Sequence, residues 1–168
     1  MKVLFWNVAR TGAAEGSLST DMLCEDLGGL CERYSPDALV LSECLLGFGE
    51  RMRWSPTGYA LSPIPNPGLY GSESTLRYAL FRRDGAPLRE PRLVPTGRST
   101  TRLRPALAFS LGPVTVLAVH AASITNSNRV QLGQLVFAWE ALATHGRESE
   151  LIVGDMNIDL RTGRSDVL

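Results

Sequence analysis

The sequence predicts an α/β fold built on mixed sheets. Three observations carry this. An apolar run at the start, Lys2 to Val8, is followed by a helical stretch and then a second apolar run, Ala38 to Ser42. The middle of the chain holds strand-like runs joined by tight turns, with no helical stretch between them. A further helical stretch and a last strand, Glu150 to Gly154, close the pattern. A strand, helix, strand unit makes a parallel pair through a crossover, whereas short turns make antiparallel pairs.

The elements follow in order. Lys2 to Val8 reads as a buried strand, and Gly12 to Gly16 as a loop. From about Ser19 to Tyr34 the residues Leu23, Leu27, Leu30 and Tyr34 recur at helical spacing. Ser19 or Thr20 can cap this helix, Ser35-Pro36-Asp37 ends it, and Gly28-Gly29 weakens its middle. Ala38 to Ser42 is a continuous apolar strand. Ser55 to Ser74 is rich in Pro, Gly, Ser and Asn, with a short strand at Tyr59 to Ser62. Leu76 to Arg82 is a strand that ends at an Asp84-Gly85 turn. Arg92 to Pro95, Arg102 to Leu111 and Val114 to His120 read as an antiparallel meander, the last two joined by Gly112-Pro113. Ser127 to His145 is a helix with Val130, Leu135, Trp139 and Leu142 on one face. No repeat, linker or low-complexity tract interrupts the chain, so residues 1–168 are expected to form one domain.

Acidic and basic residues balance at 17 each, which argues against holding nucleic acid by a bulk positive field. A local basic groove stays open, because every cation except Lys2 and the histidines is an arginine, the better bidentate phosphate ligand, although a GC-rich genome gives the same bias and is the plainer source of it. Cys24, Cys31 and Cys44 are odd in number and show no C-x-x-C spacing, so neither a disulfide framework nor a zinc site is expected. No secretory signal and no membrane-spanning apolar run is visible, which points to a soluble, cytoplasmic protein.

Four strands deliver polar residues at their C-terminal ends, and this pattern bears on chemistry. Asn7 ends the first strand; its amide could orient a metal-binding carboxylate or hold a phosphate oxygen, or simply cap a turn. Glu43 follows four apolar or small residues, a natural place for a Mg²⁺ ligand and also for an ordinary loop acid. His120 ends a strand of small and β-branched residues, where it could move a proton, contact a phosphoryl oxygen, or serve only the core. Asp155 and Asn157 alternate about Met156, so on extended backbone both point the same way. That pair suits water activation or metal binding together with stabilisation of a developing oxyanion. Gly154 before them permits close backbone approach. Tyr78, Arg102 and Arg104 could contact a phosphate, with solvated or structural roles as the alternative.

In this order the motifs resemble those of the endonuclease/exonuclease/phosphatase superfamily, the DNase I-like proteins. Phe5-Trp6-Asn7-Val8 is similar to the opening Asn motif, Leu41-Ser42-Glu43 to Leu-Gln-Glu, Val119-His120 to the catalytic His strand, and Gly154-Asp155-Met156-Asn157 to Gly-Asp-Phe-Asn. The resemblance implies an α/β/β/α sandwich of two packed mixed sheets flanked by helices. It implies a phosphoester hydrolase, a nuclease or phosphodiesterase, assisted by Mg²⁺ or Mn²⁺. Glu43 would be the metal ligand, and His120, Asp155, Asn157 and Asn7 would be catalytic. Tyr78, Arg102 and Arg104 would contact a nucleic acid or other phosphodiester substrate. The terminal Ser-Asp-His of the superfamily has no counterpart, since Ser165-Asp166 is followed by Val167. The chain is therefore expected to be incomplete at its C-terminus and to pair with a second copy or a partner chain that completes the fold. The alternative is a non-catalytic phosphate-binding or protein-interaction module of the same fold.

Overall fold

The computed structural model describes residues 1–8, 20–45, 54–65, 76–96, 105–121, 128–143 and 150–156. The first apolar run forms β1 (Val3–Asn7). Helix α1 (Thr20–Tyr34) carries Asp21 in its first turn and Arg33 in its last, each favourable to the helix dipole. Ser35 then takes φ 44, its N–H bonds Cys31 O at 2.9 Å, and Pro36 prevents continuation. Next come β2 (Ala38–Leu45), β3 (Tyr59–Leu61) and β4 (Leu76–Arg83). A second group follows: β5 (Leu88–Val94), β6 (Ala106–Leu111), β7 (Val114–His120), helix α2 (Asn128–Ala143) and β8 (Glu150–Asp155).

The strands form two mixed sheets, ordered β1-β2-β4-β3 and β5-β6-β7-β8. In the first, β1 and β2 are parallel, as the helical crossover requires, and the other pairs are antiparallel. In the second, β5, β6 and β7 make the expected meander, and α2 returns the chain so that β8 lies parallel to β7.

Side-chain alternation sorts the strands into three apolar layers. Val40 and Leu80 of the first sheet meet Leu107, Phe109, Val116 and Ala118 of the second, between the sheets. Leu39, Leu41, Ala79 and Phe81 point the other way and pack with Leu23, Leu27 and Cys31 of α1. Ala106, Ala108, Leu117 and Val119 form the outer face of the second sheet, with Leu135 of α2 against them. The result is the α/β/β/α sandwich. Burying each large apolar side chain contributes about 1.5–3 kcal/mol.

At the start of β2, Asp37 ties three segments. It accepts the backbone N–H of Lys2 at 2.8 Å and a bond from the Arg83 guanidinium at the end of β4. The Lys2 N–H, and after it the nearby Arg83 charge, hold the Asp37 carboxyl below its ordinary value against the opposing effect of burial.

Several expectations need correction. The buried stripe of α1 is Leu23, Leu27 and Cys31, whereas Tyr34 is 46% exposed. Gly28 and Gly29 lie inside the helix, where the packing of that stripe offsets their cost of about 1 kcal/mol each. On α2 it is Gln134 that is buried, bonded by Nε2 to Thr96 Oγ1 at 3.4 Å, while Trp139 is 46% exposed. β1 is half-buried throughout because it is the edge strand of its sheet among the described residues. β5 begins at Leu88, well before Arg92, and runs through Pro91. Proline is tolerated there because β5 is an edge strand among the described residues and Glu90-Pro91 form a bulge opposite Phe109.

Candidate functional site

The two parallel pairs end at matching levels. Asn7 stands opposite Ser42 in one sheet, and His120 opposite Asp155 in the other. Backbone bonds carry each pair one step further: Val8 N–H to Ser42 O at 3.1 Å, and Ala121 N–H to Asp155 O at 2.9 Å. β1 and β8 lie against one another across the sandwich. The strand ends therefore meet in a seam between the sheets.

Alternation aims most of these residues at the seam. Phe5 packs into the inter-sheet layer, so Asn7 two residues on shares that face. The same argument carries Val153 to Asp155, Ala118 to His120, and Val40 to Ser42. Tyr78 is itself part of the inter-sheet layer and is buried.

Glu43 breaks the rule. Strict alternation would put it on the helix-covered face with Leu39 and Leu41. Instead β2 carries a bulge: Leu41 pairs with Ala79 and Cys44 with Arg77, so Ser42 and Glu43 both stand opposite Tyr78. Glu43 takes φ 58, a left-handed conformation that is unfavourable by about 1–2 kcal/mol for a residue with a side chain. Cys44, not Glu43, joins the helix-side layer, and burial pushes its thiol up to about 12. Bulges of this kind re-aim a side chain, and here they turn the carboxylate to the seam. The sequence expectation that Glu43 ends its strand is thus corrected, because β2 continues to Leu45.

Two polar contacts close the seam from sheet to sheet. Asn7 Nδ2 donates to Asp155 Oδ2 at 3.0 Å. His120 Nε2 lies 3.5 Å from Glu43 Oε1, with side chains only 7% and 14% exposed. That separation is an electrostatic contact and longer than an ordinary hydrogen bond. Gly154 makes the level of Asp155 possible. Its φ is 148, and a Cβ built on it would stand 1.8 Å from Val119 O. The strand pair can come this close only with glycine there.

Asn7, Glu43, Tyr78, His120 and Asp155 are thus brought to one place from five strands. Asn157, Arg102 and Arg104 lie outside the described residues. Ser42 was missed by sequence reasoning. Its only signal is a hydroxyl in an otherwise apolar run just before Glu43.

The donor set is all oxygen around Glu43, Asp155 and the Asn7 amide, with one imidazole beside it. Among the described residues no three His, Cys, Asp or Glu side chains cluster tightly enough to hold a metal by themselves. Mg²⁺ does not require such a cage, since it takes one or two carboxylates and keeps water and substrate oxygens. Ser42 Oγ is also buried and has no hydrogen-bond partner among the described residues, a second feature compatible with a hydrated ion nearby.

Solved structures share this architecture. The D. rerio TDP2 complexed with a single-strand DNA product superposes with TM-score 0.66 at 13% identity, over 95% of this chain and 61% of that one. An endonuclease/exonuclease/phosphatase family protein from Bacteroides thetaiotaomicron gives TM-score 0.68 at 14% identity, over 97% of this chain and 65% of that one.

This is the DNase I-like fold.

A mannosyl-6-phosphatase of the same bacterium has it too, with TM-score 0.67 at 13% identity over 97% of this chain and 67% of that one. The chain spans only part of the length of such DNase I-like proteins, 63% of a humanised D. rerio TDP2 and 48% of the C. elegans TDP2. No family model matches the sequence, and no curated protein matches it.

Proposed function

We propose that the seam is a phosphoester hydrolase site and that a divalent cation, Mg²⁺ or Mn²⁺, binds at Glu43. The observation that carries this reading is the pair of cross-sheet contacts, Asn7 to Asp155 and Glu43 to His120. They join polar residues from four strands, and the bulge that carries Cys44 into the helix-side layer leaves Glu43 at the seam. When bound, the cation neutralises charge on the phosphate and its ester oxygens. Asp155, held in place by the Asn7 amide, accepts the proton of the attacking water. His120 donates a hydrogen bond to a phosphoryl oxygen as the water oxygen bonds phosphorus and the phosphorus–ester oxygen bond breaks, the departing oxyanion taking its proton from solvent. Glu43 would hold the cation, with its Oε1 3.5 Å from His120 Nε2. Tyr78 binds the phosphate from the facing strand, with Asn157, Arg102 and Arg104 as further contacts.

For the substrate we propose a nucleic acid strand or a similar phosphodiester. The TDP2 structure with a DNA product supports this, while the mannosyl-6-phosphatase marks a sugar phosphate as the competing class. Balanced overall charge favours a short or single-stranded substrate over a long duplex gripped by many phosphate contacts. A panel of single-stranded DNA, plasmid DNA, RNA and mannose 6-phosphate with Mg²⁺ tests the choice. Turnover of single-stranded DNA or RNA is expected; turnover of the sugar phosphate alone would reject the nucleic acid reading.

The same reading includes a second copy of the chain. β1 and β8 are edge strands among the described residues, and every residue of both is half-buried, whereas most of β2 and β7 is buried. Apolar edges of this kind are templates for strand addition. Sedimentation velocity at tens of micromolar is expected to give a dimer; a monomer would reject it. No helix among the described residues is long and apolar enough to cross a membrane.

A further inference from the structure

Ser42 is 1% exposed, and its Oγ has no hydrogen-bond partner among the described residues. Such a group destabilises a fold unless something meets it, and native structures nearly always supply a partner or an ordered water. The backbone of Ser42 is already engaged, because its carbonyl accepts the Val8 N–H at 3.1 Å. Only the hydroxyl is left unexplained.

Its position says what it meets. Ser42 shares the inter-sheet face with Val40, stands opposite Asn7, and adjoins Glu43 within the bulge across from Tyr78. Opposed residues on one sheet face stand about 5 Å apart at Cβ, close enough for one water to bridge them. A serine hydroxyl both donates and accepts, so it can bind a water whose other bonds go to a cation or a carboxylate. Mg²⁺ keeps several waters when proteins bind it, and the groups that hold those waters tune its affinity.

We propose that Ser42 is a positioning residue for the cation site: its Oγ holds a water in the shell of the divalent ion bound at Glu43. This rests on the phosphoester hydrolase reading. It also accounts for a hydroxyl buried at the one point of β2 where the strand is broken by a bulge.

The test uses Mg²⁺ alone as the probe. Calorimetric titration is run on the unmodified protein and on Ser42→Ala, Ser42→Thr and Glu43→Ala, with melting temperatures measured in EDTA. Ser42→Ala is expected to bind Mg²⁺ about tenfold more weakly, the usual loss when an outer-shell partner is removed. Its melting temperature in EDTA is expected to equal or exceed that of the unmodified protein, because an unmet buried hydroxyl has been removed. Ser42→Thr keeps the hydroxyl and is expected to bind within a few-fold of the original. Unchanged Mg²⁺ affinity in Ser42→Ala, while Glu43→Ala binds none, would overturn the role of Ser42 and leave the metal site standing. A fall in melting temperature in EDTA with unchanged affinity would overturn it as well, marking a purely structural serine. Failure of the unmodified protein to bind Mg²⁺ would overturn the metal reading itself, and this inference with it.

Discussion

Replacing Gly154 by alanine should be among the most damaging single changes in the protein. The added Cβ would stand 1.8 Å from Val119 O, 2.8 Å from Val119 C and 2.9 Å from Val119 N. Non-bonded heavy atoms sit about 3.5–4.0 Å apart, so β7 and β8 would have to part by more than about 1 Å. The Ala121 N–H to Asp155 O bond is 2.9 Å and would not survive such a shift. Each backbone bond lost is worth about 1 kcal/mol, and the ladder would lose two or three. A φ of 148 is a further strain of about 1–3 kcal/mol for any residue but glycine. Together these give a loss of about 3–6 kcal/mol. Urea denaturation followed by circular dichroism reads it directly. With a slope of about 2 kcal/mol per molar, the midpoint should fall by about 1.5–3 M. Gly133→Ala is the control. It is exposed on α2, an added Cβ there meets nothing within 4 Å, and it should raise stability by about 0.5–1 kcal/mol. A Gly154→Ala midpoint equal to that of the unmodified protein would refute the close approach of β8 to β7.

Other perturbations test other layers. Phe81→Ala should cost about 3–5 kcal/mol in the same assay, since Phe81 is fully buried and meets the Trp54 ring edge-on at 5.5 Å. Trp139→Ala, on the exposed side of α2, should cost well under about 1 kcal/mol; the reverse ranking would contradict the packing of both helices. Asp37 has a folded pKa below its unfolded value, so it stabilises above the unfolded value near 3.9 and that contribution disappears as pH falls through the folded one. Asp37→Asn should therefore cost about 1 kcal/mol at pH 7, discounted because Arg83 is 43% exposed, and progressively less as pH falls below the unfolded value. A gap that widens with acid would reverse the sign of the argument. Cys44, buried with its thiol pushed up to about 12, should resist iodoacetamide at pH 8 until urea unfolds the protein.

The strand ends were legible because a run such as Leu117-Ala118-Val119-His120 joins apolar burial to one polar terminus, and a strand end in a packed sheet leaves few places for that residue. The parallel pairing of β1 and β2 followed from the helical period between them. The bulge was not legible. Nothing in Leu41-Ser42-Glu43-Cys44 records that two residues oppose one, yet that detail turns Glu43 toward His120. Hydrophobic scale misled twice in the helices. Tyr34 and Trp139 are exposed where both looked like core candidates, and Gln134 is buried instead on the second helix, because neighbouring strands decide which flank of a helix is covered; the seven-residue spacing of Cys24 and Cys31 did place Cys31 in the core. Pro91 hid the first half of β5 for a related reason, since its tolerance depends on an edge position that local sequence does not reveal.

The central claim is that the seam residues act as one metal-assisted site. Hydrolysis of bis-p-nitrophenyl phosphate by the full chain, with Mg²⁺ or Mn²⁺ and with EDTA, tests it most directly. Glu43→Ala, Asp155→Ala and Trp139→Ala are measured alongside. The account predicts release of p-nitrophenol that needs the metal, falls at least about a hundredfold in the first two variants, and is unchanged in the third. Hydrolysis that persists in EDTA, or that survives both seam substitutions in folded protein, would contradict it.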